Sequence, residues 1–210
     1  MVFLRNGKVT TAHRRVAPTT AVGRAALEQL VVGPDASERA LGFTNALPPG
    51  TKVDGIDIAD GVATVDLSPA VTDAAARAQV VYTLTQFPTV QKVRFGTSGP
   101  TLTRDDVRDV TPLVFLESVA PGDVVTSPVR VTGESNTFEA TLRIRILGAD
   151  GSVLADTFGT ATSGTGTWGT FAENVAFAKG ANTEGKVVVF WDSPKDGSPQ
   201  DVTEVPVRFS

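Results

Sequence analysis

Cysteine is absent from this chain, which excludes disulfide staples, thiolate metal sites and cysteine nucleophiles. Histidine and tyrosine each occur once, and aromatic residues make up only 7% of the 210 positions. A zinc centre would therefore have to be built mostly from carboxylates, against the usual choice of zinc ligands. No apolar run approaches the ~20 residues that a membrane-spanning helix needs. Positive charge is not in excess either. The pI is about 5.0 and the formal net charge −4, so the basic surface that phosphate contacts demand is missing and a nucleic-acid role is excluded. Neither a signal peptide nor a lipid-acceptor cysteine is visible, and Met1 directly precedes the strand-like Val2-Phe3-Leu4. The expectation is that an export segment lies outside this sequence.

What is present fits soluble globular protein: 41% hydrophobic and 20% charged residues, in a length that holds two modest domains. The charge is uneven. Residues 1–110 carry 12 Lys+Arg against 11 Asp+Glu, and residues 111–210 carry 7 against 12.

The pattern of the chain changes near residue 110. Asn6-Gly7 supplies the positive φ angles of a tight hairpin turn between Val2–Arg5 and a second strand expected to run on through His13–Val16 to Pro18. Thr19 or Thr20 can cap a helix in which Val22, Ala26 and Leu30 share a face, closed by Gly33-Pro34. Lys52–Ala59 and Gly61–Leu67 form a second hairpin turned at Asp60-Gly61, with Ala63, Val65 and Leu67 alternating against Val62, Thr64 and Asp66. A second helix spans about Thr72 to Phe87, its stripe made by Ala76, Val80 and Leu84, and Val90–Phe95 is a last strand. The order β-β-α-β-β-α-β predicts an α+β domain over residues 1–100, a mixed sheet with both helices on one face.

Thr101–Arg108 has no apolar period and reads as part of a linker over 101–112. Beyond it the chain is all-β. Leu142, Ile144 and Ile146 alternate with Arg143 and Arg145, and about seven short strands separated by Gly, Pro and Asp turns predict an immunoglobulin-like sandwich over 113–210.

The stretches Arg14-Arg15-Val16-Ala17-Pro18-Thr19-Thr20, Ala25–Leu30, Gly61–Ser68, Gln79–Phe87 and Val90–Val93 resemble the GerMN domain of sporulation and spore-germination proteins. Val129–Gly133, Phe138-Glu139-Ala140 and Asp192–Ser198 resemble the immunoglobulin-like domain that accompanies GerMN in such proteins. The Ala-, Arg- and Val-rich wording resembles that of actinobacterial envelope lipoproteins. The resemblance implies a non-catalytic extracytoplasmic module, related in fold to ring-building domains of secretion-like assemblies, lipid-anchored in its full length. It brings no catalytic motif, cofactor or metal.

Other candidates weaken under their own chemistry. Gly164-Thr165-Gly166-Thr167-Trp168-Gly169 matches G-x-G-x-x-G, but a strand follows it where a dinucleotide site needs a helix, so a flexible loop is expected. His13 has no nucleophile or orienting acid near it in sequence. Arg104–Asp109 clusters three carboxylates without the spacing of a calcium loop, and Asp192–Asp201 is a Pro/Gly/Ser loop where a cation is left open. His13-Arg14-Arg15 beside Arg24 forms a small basic patch for an acidic partner. Trp168 sits in the glycine loop, whereas Trp191 follows an apolar strand and reads as core. The expectation is an envelope module that binds protein partners through Arg14, Arg15 and Trp168, with homo-oligomerisation left open. Binding of cell-wall glycan through Trp168 is the alternative. An enzyme would need a carboxylate pair straddling a cleft.

Overall fold

Asn6 and Gly7 adopt φ of 52° and 74°, the left-handed backbone of a two-residue turn. They fold Val2–Arg5 (β1) onto Lys8–Thr11 (β2) in the computed structural model, which describes residues 1–210. The second strand stops earlier than the sequence predicts. Ala12 still donates to the Met1 carbonyl at 2.9 Å, but residues 13–20 form no regular structure. The departure begins where Arg14 sends its guanidinium to the two helices that follow.

Val22–Val32 (α1) buries Gly23, Leu27 and Leu30. Its cap is not a threonine side chain on the helix: Ala21 takes that position, and the Thr19 hydroxyl accepts from the Ala21 N–H at 3.0 Å. Gly33, at φ 85°, ends the helix and donates to the Leu30 carbonyl. Ala36–Ala40 (α2) opens with a capping box in which Asp35 accepts from Ser37 and Glu38 while Glu38 reaches back to the Asp35 N–H. Those bonds, the Glu38 N–H first, hold the Asp35 carboxyl below its ordinary range. Phe43–Thr44 (β3) then pairs with β1, giving a three-stranded sheet β2-β1-β3.

Lys52–Ala59 (β4), Val62–Ser68 (β5), Lys92–Phe95 (β6) and Thr101–Leu102 (β7) form a second sheet in that order, parallel between β5 and β6 and antiparallel elsewhere. Ala74–Thr85 (α3), capped by Asp73, packs on α1, β1, β2 and β6. Its burial extends well past the stripe Ala76, Val80 and Leu84. Ala78, Gln79, Val81, Tyr82 and Thr83 are buried too, because the helix lies between two sheets and has no solvent face along its middle. The polar members bind the small sheet and its loop. Val2 N–H donates to Thr83 Oγ1 at 3.0 Å, Gln79 Nε2 to the Val2 carbonyl at 3.3 Å, and Ala46 N–H to Gln79 Oε1 at 2.8 Å.

Residues 101–110 are not a linker. After β7, Asp105–Val110 winds into a 3₁₀ helix that buries Val107 and packs on α3. Arg108 Nη1 donates to the Tyr82 hydroxyl at 2.8 Å, which lies 2.9 Å from the Thr111 hydroxyl. The Arg104 guanidinium stacks 4.9 Å from the Tyr82 ring centroid and donates to Thr85 Oγ1. A polar stretch is held here by arginines that reach one buried phenol, a contact with no hydrophobic period to announce it. Tyr82→Phe is expected to lower the stability of this domain by about 1–2 kcal/mol, the loss of hydrogen bonds at a buried hydroxyl. Urea unfolding followed by the far-UV helical signal measures it, since α1, α2 and α3 all belong to this half. An unshifted midpoint would refute the role given to the hydroxyl.

The chain divides into two compact units, Met1–Thr111 and Pro112–Ser210. The second contains Val114–Ser118 (β8), Val124–Val125 (β9), Val129–Ser135 (β10), Thr141–Gly148 (β11), Val153–Thr160 (β12), Gly169–Val175 (β13), Glu184–Asp192 (β14) and Pro199–Phe209 (β15). They build a three-stranded sheet β13-β10-β8 and a five-stranded sheet β12-β11-β14-β15-β9, an immunoglobulin-like sandwich. Leu142, Ile144 and Ile146 enter its core with Val131, Phe171, Val187, Val189 and Phe209. Without a disulfide, burial is the main force between the sheets, and Thr160 N–H of β12 adds a hydrogen bond to Glu173 Oε1 of β13 at 3.1 Å. The intervening arginines face outward, and both bind Asp156: Arg143 Nε and Nη2 at 2.7 and 2.9 Å, Arg145 Nε at 2.9 Å. Arg143, then Arg145, keeps the Asp156 carboxyl below its usual range. Arg145 also covers Phe190, which is 1% exposed although it points to the solvent side of the sheet.

Candidate functional site

The segment 13–20 lies along α1 as an extended arm, and most of its side chains are exposed. Between arm and helix runs a groove of about 280 Å³, lined by Val16, Ala17, Thr19, Ala21, Arg24 and Glu28 among others. Arg24 Nε pairs with Glu28 across one helical turn at 2.9 Å. Val16 is 45% exposed at the mouth of the groove. Its residues offer mixed polar and apolar contact area. They supply no nucleophile held by a base.

The three predicted contact residues fall in different environments. Arg15 is exposed on the arm. Arg14 is not a surface contact, contrary to the sequence expectation. Its guanidinium pairs with Glu38, donates to the Gly33 carbonyl at 2.8 Å and the Gln29 carbonyl at 3.3 Å, and stacks on the Phe3 ring. The side chains of Arg14 and Glu38 are only 13% and 8% exposed. Adjacent arginines on an extended backbone point to opposite sides, so one faces solvent and the other faces the protein. A basic patch of three consecutive residues does not form. Sequence reasoning missed Glu38. The signal that could have found it is Asp35-Ala36-Ser37-Glu38, a capping box whose second acid must turn back toward the C-terminal end of α1.

Trp168 is half-buried in the second unit. The glycine-rich segment around it is knit into the fold rather than loose. Thr165 N–H donates to the Thr137 carbonyl at 2.9 Å, Gly166 N–H to Asn136 Oδ1 at 2.8 Å, and Glu139 N–H to Thr165 Oγ1 at 2.9 Å. At Gly164 a Cβ would lie 2.5 Å from the Thr137 carbonyl oxygen. The glycine there allows close chain approach, with no bearing on a phosphate. Trp191 packs against the sandwich core, and its Nε1 donates to Asp201 at 2.7 Å. In the turn that follows, Asp196 accepts from the Ser198 N–H and hydroxyl. Of the acids in 104–109, Asp106 binds Thr103 and Asp105 binds Arg108.

Comparison with known families gives two matches. Residues 3–103 match the family described as sporulation and spore germination, and residues 113–198 match the immunoglobulin-like domain of bacterial spore germination. Neither is an enzyme family. No curated protein matches the chain. Among solved structures, the first GerMN domain of the sporulation protein GerM from Bacillus subtilis is similar at 25% identity, with 49% of this chain and 90% of that one covered and a TM-score of 0.37. A protein described as a lipoprotein from Clostridium perfringens is similar at 17% identity, with 48% of this chain and 86% of that one covered and a TM-score of 0.35.

Proposed function

The first domain of this chain belongs to the sporulation and spore germination family and the second to the immunoglobulin-like family of bacterial spore germination, and from that premise we propose that it is a non-catalytic assembly module of the cell envelope that binds protein partners outside the cytoplasm. The observation that carries this reading is the arm 13–20, whose side chains Arg15 and Val16 face outward beside the α1 groove. Short exposed segments next to a shallow groove suit a protein contact anchored by a few residues. Arg15 and Trp168 are contact residues in this proposal.

Proximity labelling with the intact exported protein in the native envelope tests it. Envelope proteins are expected among the labelled neighbours, and Arg15→Glu is expected to reduce their labelling severalfold. A set of exclusively cytosolic neighbours would overturn the reading. A second reading, recognition of cell-wall glycan, has the half-exposed indole of Trp168 in its favour. It requires retention on purified wall that Trp168→Ala abolishes.

A further inference from the structure

We propose that Asn6 is a site of spontaneous covalent modification, at which the backbone nitrogen of Gly7 displaces the side-chain amide and leaves aspartate or isoaspartate in its place. The inference goes beyond the assembly reading and does not depend on it.

Two conditions select an asparagine for this chemistry: an unshielded nitrogen on the next residue, and freedom for that nitrogen to reach the side-chain carbonyl. Of the asparagines at 6, 45, 136, 174 and 182, only Asn6 precedes a glycine, the residue with no Cβ to cover its nitrogen. The others are also held in place. Asn45 Nδ2 donates to the Leu30 carbonyl at 2.7 Å, Asn136 Oδ1 accepts from Gly166, and Asn182 Nδ2 donates to the Lys179 carbonyl at 3.2 Å. Asn174 lies inside β13, opposite Arg130. No such bond holds the Asn6 side chain. Asn6 and Gly7 are both exposed at the hairpin tip, and a Cβ on Gly7 would meet nothing within 4 Å. Positive φ at both residues makes this a type I′ turn. Flipping the Asn6–Gly7 peptide converts it to type II′, which carries ψ of the first central residue from about +30° to about −120°. That rotation swings the Gly7 nitrogen over the Asn6 side chain. It leaves Arg5 paired with Lys8, whose Nζ is fixed on the Asp109 carbonyl at 2.7 Å. Type II′ favours glycine at its first central position, so the flip is uphill for Asn6 and brief.

The Gly7 nitrogen loses its proton to solvent and bonds to Asn6 Cγ. The Cγ–Nδ2 bond breaks, ammonia leaves with a proton from solvent, and a five-membered imide remains. Water then adds to either ring carbonyl. Opening at Cγ gives aspartate with the main chain unchanged. Opening at the backbone carbonyl carbon gives isoaspartate, whose main chain runs through Cβ and Cγ. One water is consumed, one ammonia is released and no electron moves. Either product gains a negative charge. The matching turn of the other hairpin, Asp60-Gly61, carries a carboxylate, which is a poor electrophile, and its Gly61 carbonyl is held by the Gln91 and Lys92 N–H groups at 2.8 and 3.1 Å. The two products differ in effect. Asp-Gly suits the same turn, so aspartate leaves the hairpin as it was. Isoaspartate adds a carbon to a two-residue turn and loosens β1, the middle strand of β2-β1-β3, which carries the buried Phe3.

The test incubates the whole chain in mildly alkaline buffer beside a portion unfolded in guanidinium chloride. Isoelectric focusing is expected to show an acidic species accumulating in the folded sample. Peptide mass mapping should place the amide-to-acid change at Asn6, severalfold ahead of the other asparagines. Asn6→Gly keeps a Gly-Gly turn and should remove most of the acidic species. Asn6→Asp should unfold in urea at the same midpoint as the fresh chain, whereas the separated isoaspartate form should unfold earlier by the helical signal. A folded chain whose Asn6 keeps its amide while the unfolded portion converts would overturn the proposal. So would a folded chain in which another asparagine converts first, or an acidic species that forms undiminished in Asn6→Gly.

Discussion

Arg14→Met should cost the first domain about 3–5 kcal/mol, the penalty for removing one partner of a buried ion pair. The loss has several sources. Glu38, whose side chain is 8% exposed, keeps its carboxylate but loses its counter-charge. The carbonyls of Gln29 and Gly33, at the C-terminal end of α1, lose donors. A positive charge at that helix end, where the macrodipole is negative, is lost as well. The cation stacked 5.3 Å from the Phe3 centroid also goes. β1, α1 and α2 meet at this one side chain, so the effect should be domain-wide. Both tryptophans lie in the second domain and all three α-helices in the first, which gives each half its own probe. The far-UV helical transition should move to lower urea while the tryptophan fluorescence transition stays in place. Arg14→Met combined with Glu38→Gln should recover part of the loss, since the buried charge is then neutral and the glutamine oxygen can still accept from the Asp35 N–H. A helical transition shifted by less than about 1 kcal/mol would place Arg14 among ordinary exposed charges.

The same side chain shows what the sequence could and could not disclose. Local rules were legible wherever the deciding atoms lie within a few residues. The Asn6-Gly7 and Asp60-Gly61 turns, the Gly33 helix end and the β11 alternation all belong to this class. They set the α+β and immunoglobulin-like classes correctly, and the family motifs agree with them. What stayed hidden depends on distant partners. Arg14 and Arg15 are identical as letters. Only the position of Glu38, 24 residues on, makes one internal and the other external. Tyr82 draws in Arg108 from 26 residues away, which turns a polar stretch resembling a linker into a closing 3₁₀ helix. In α3 the second buried face is carried by Gln79 and Thr83, residues that no hydrophobic period counts as core. The candidate contact surface was the least legible part, because an arm without regular structure has no periodicity to read.

Gly133→Ala is expected to destabilise the second domain by about 3 kcal/mol or more, the upper range for forcing atoms into a filled core. In the structure β10 continues to Ser135, with an irregular register against β8 between Thr132 and Gly133. A Cβ at Gly133 would lie 2.0 Å from the Phe115 carbonyl oxygen and 2.8 Å from Phe171 Cζ. The Phe171 ring can rotate away at some packing cost, but the Phe115 oxygen is backbone within β8 and can move only with its strand. Relief therefore separates β8 from β10 in a sheet of three strands, which also loosens the burial of Leu116 and Val131. The tryptophan fluorescence transition should shift to lower urea and the helical transition should not. Gly151→Ala is the contrasting case. Gly151 has φ 82° and nothing within 4 Å of a Cβ, so its cost is limited to left-handed backbone strain, about 1–2 kcal/mol. Gly133 itself is not in the left-handed region, so a shift no larger than that of Gly151→Ala would mean that β8 and β10 relax around the added Cβ and that their close approach does not require glycine at 133.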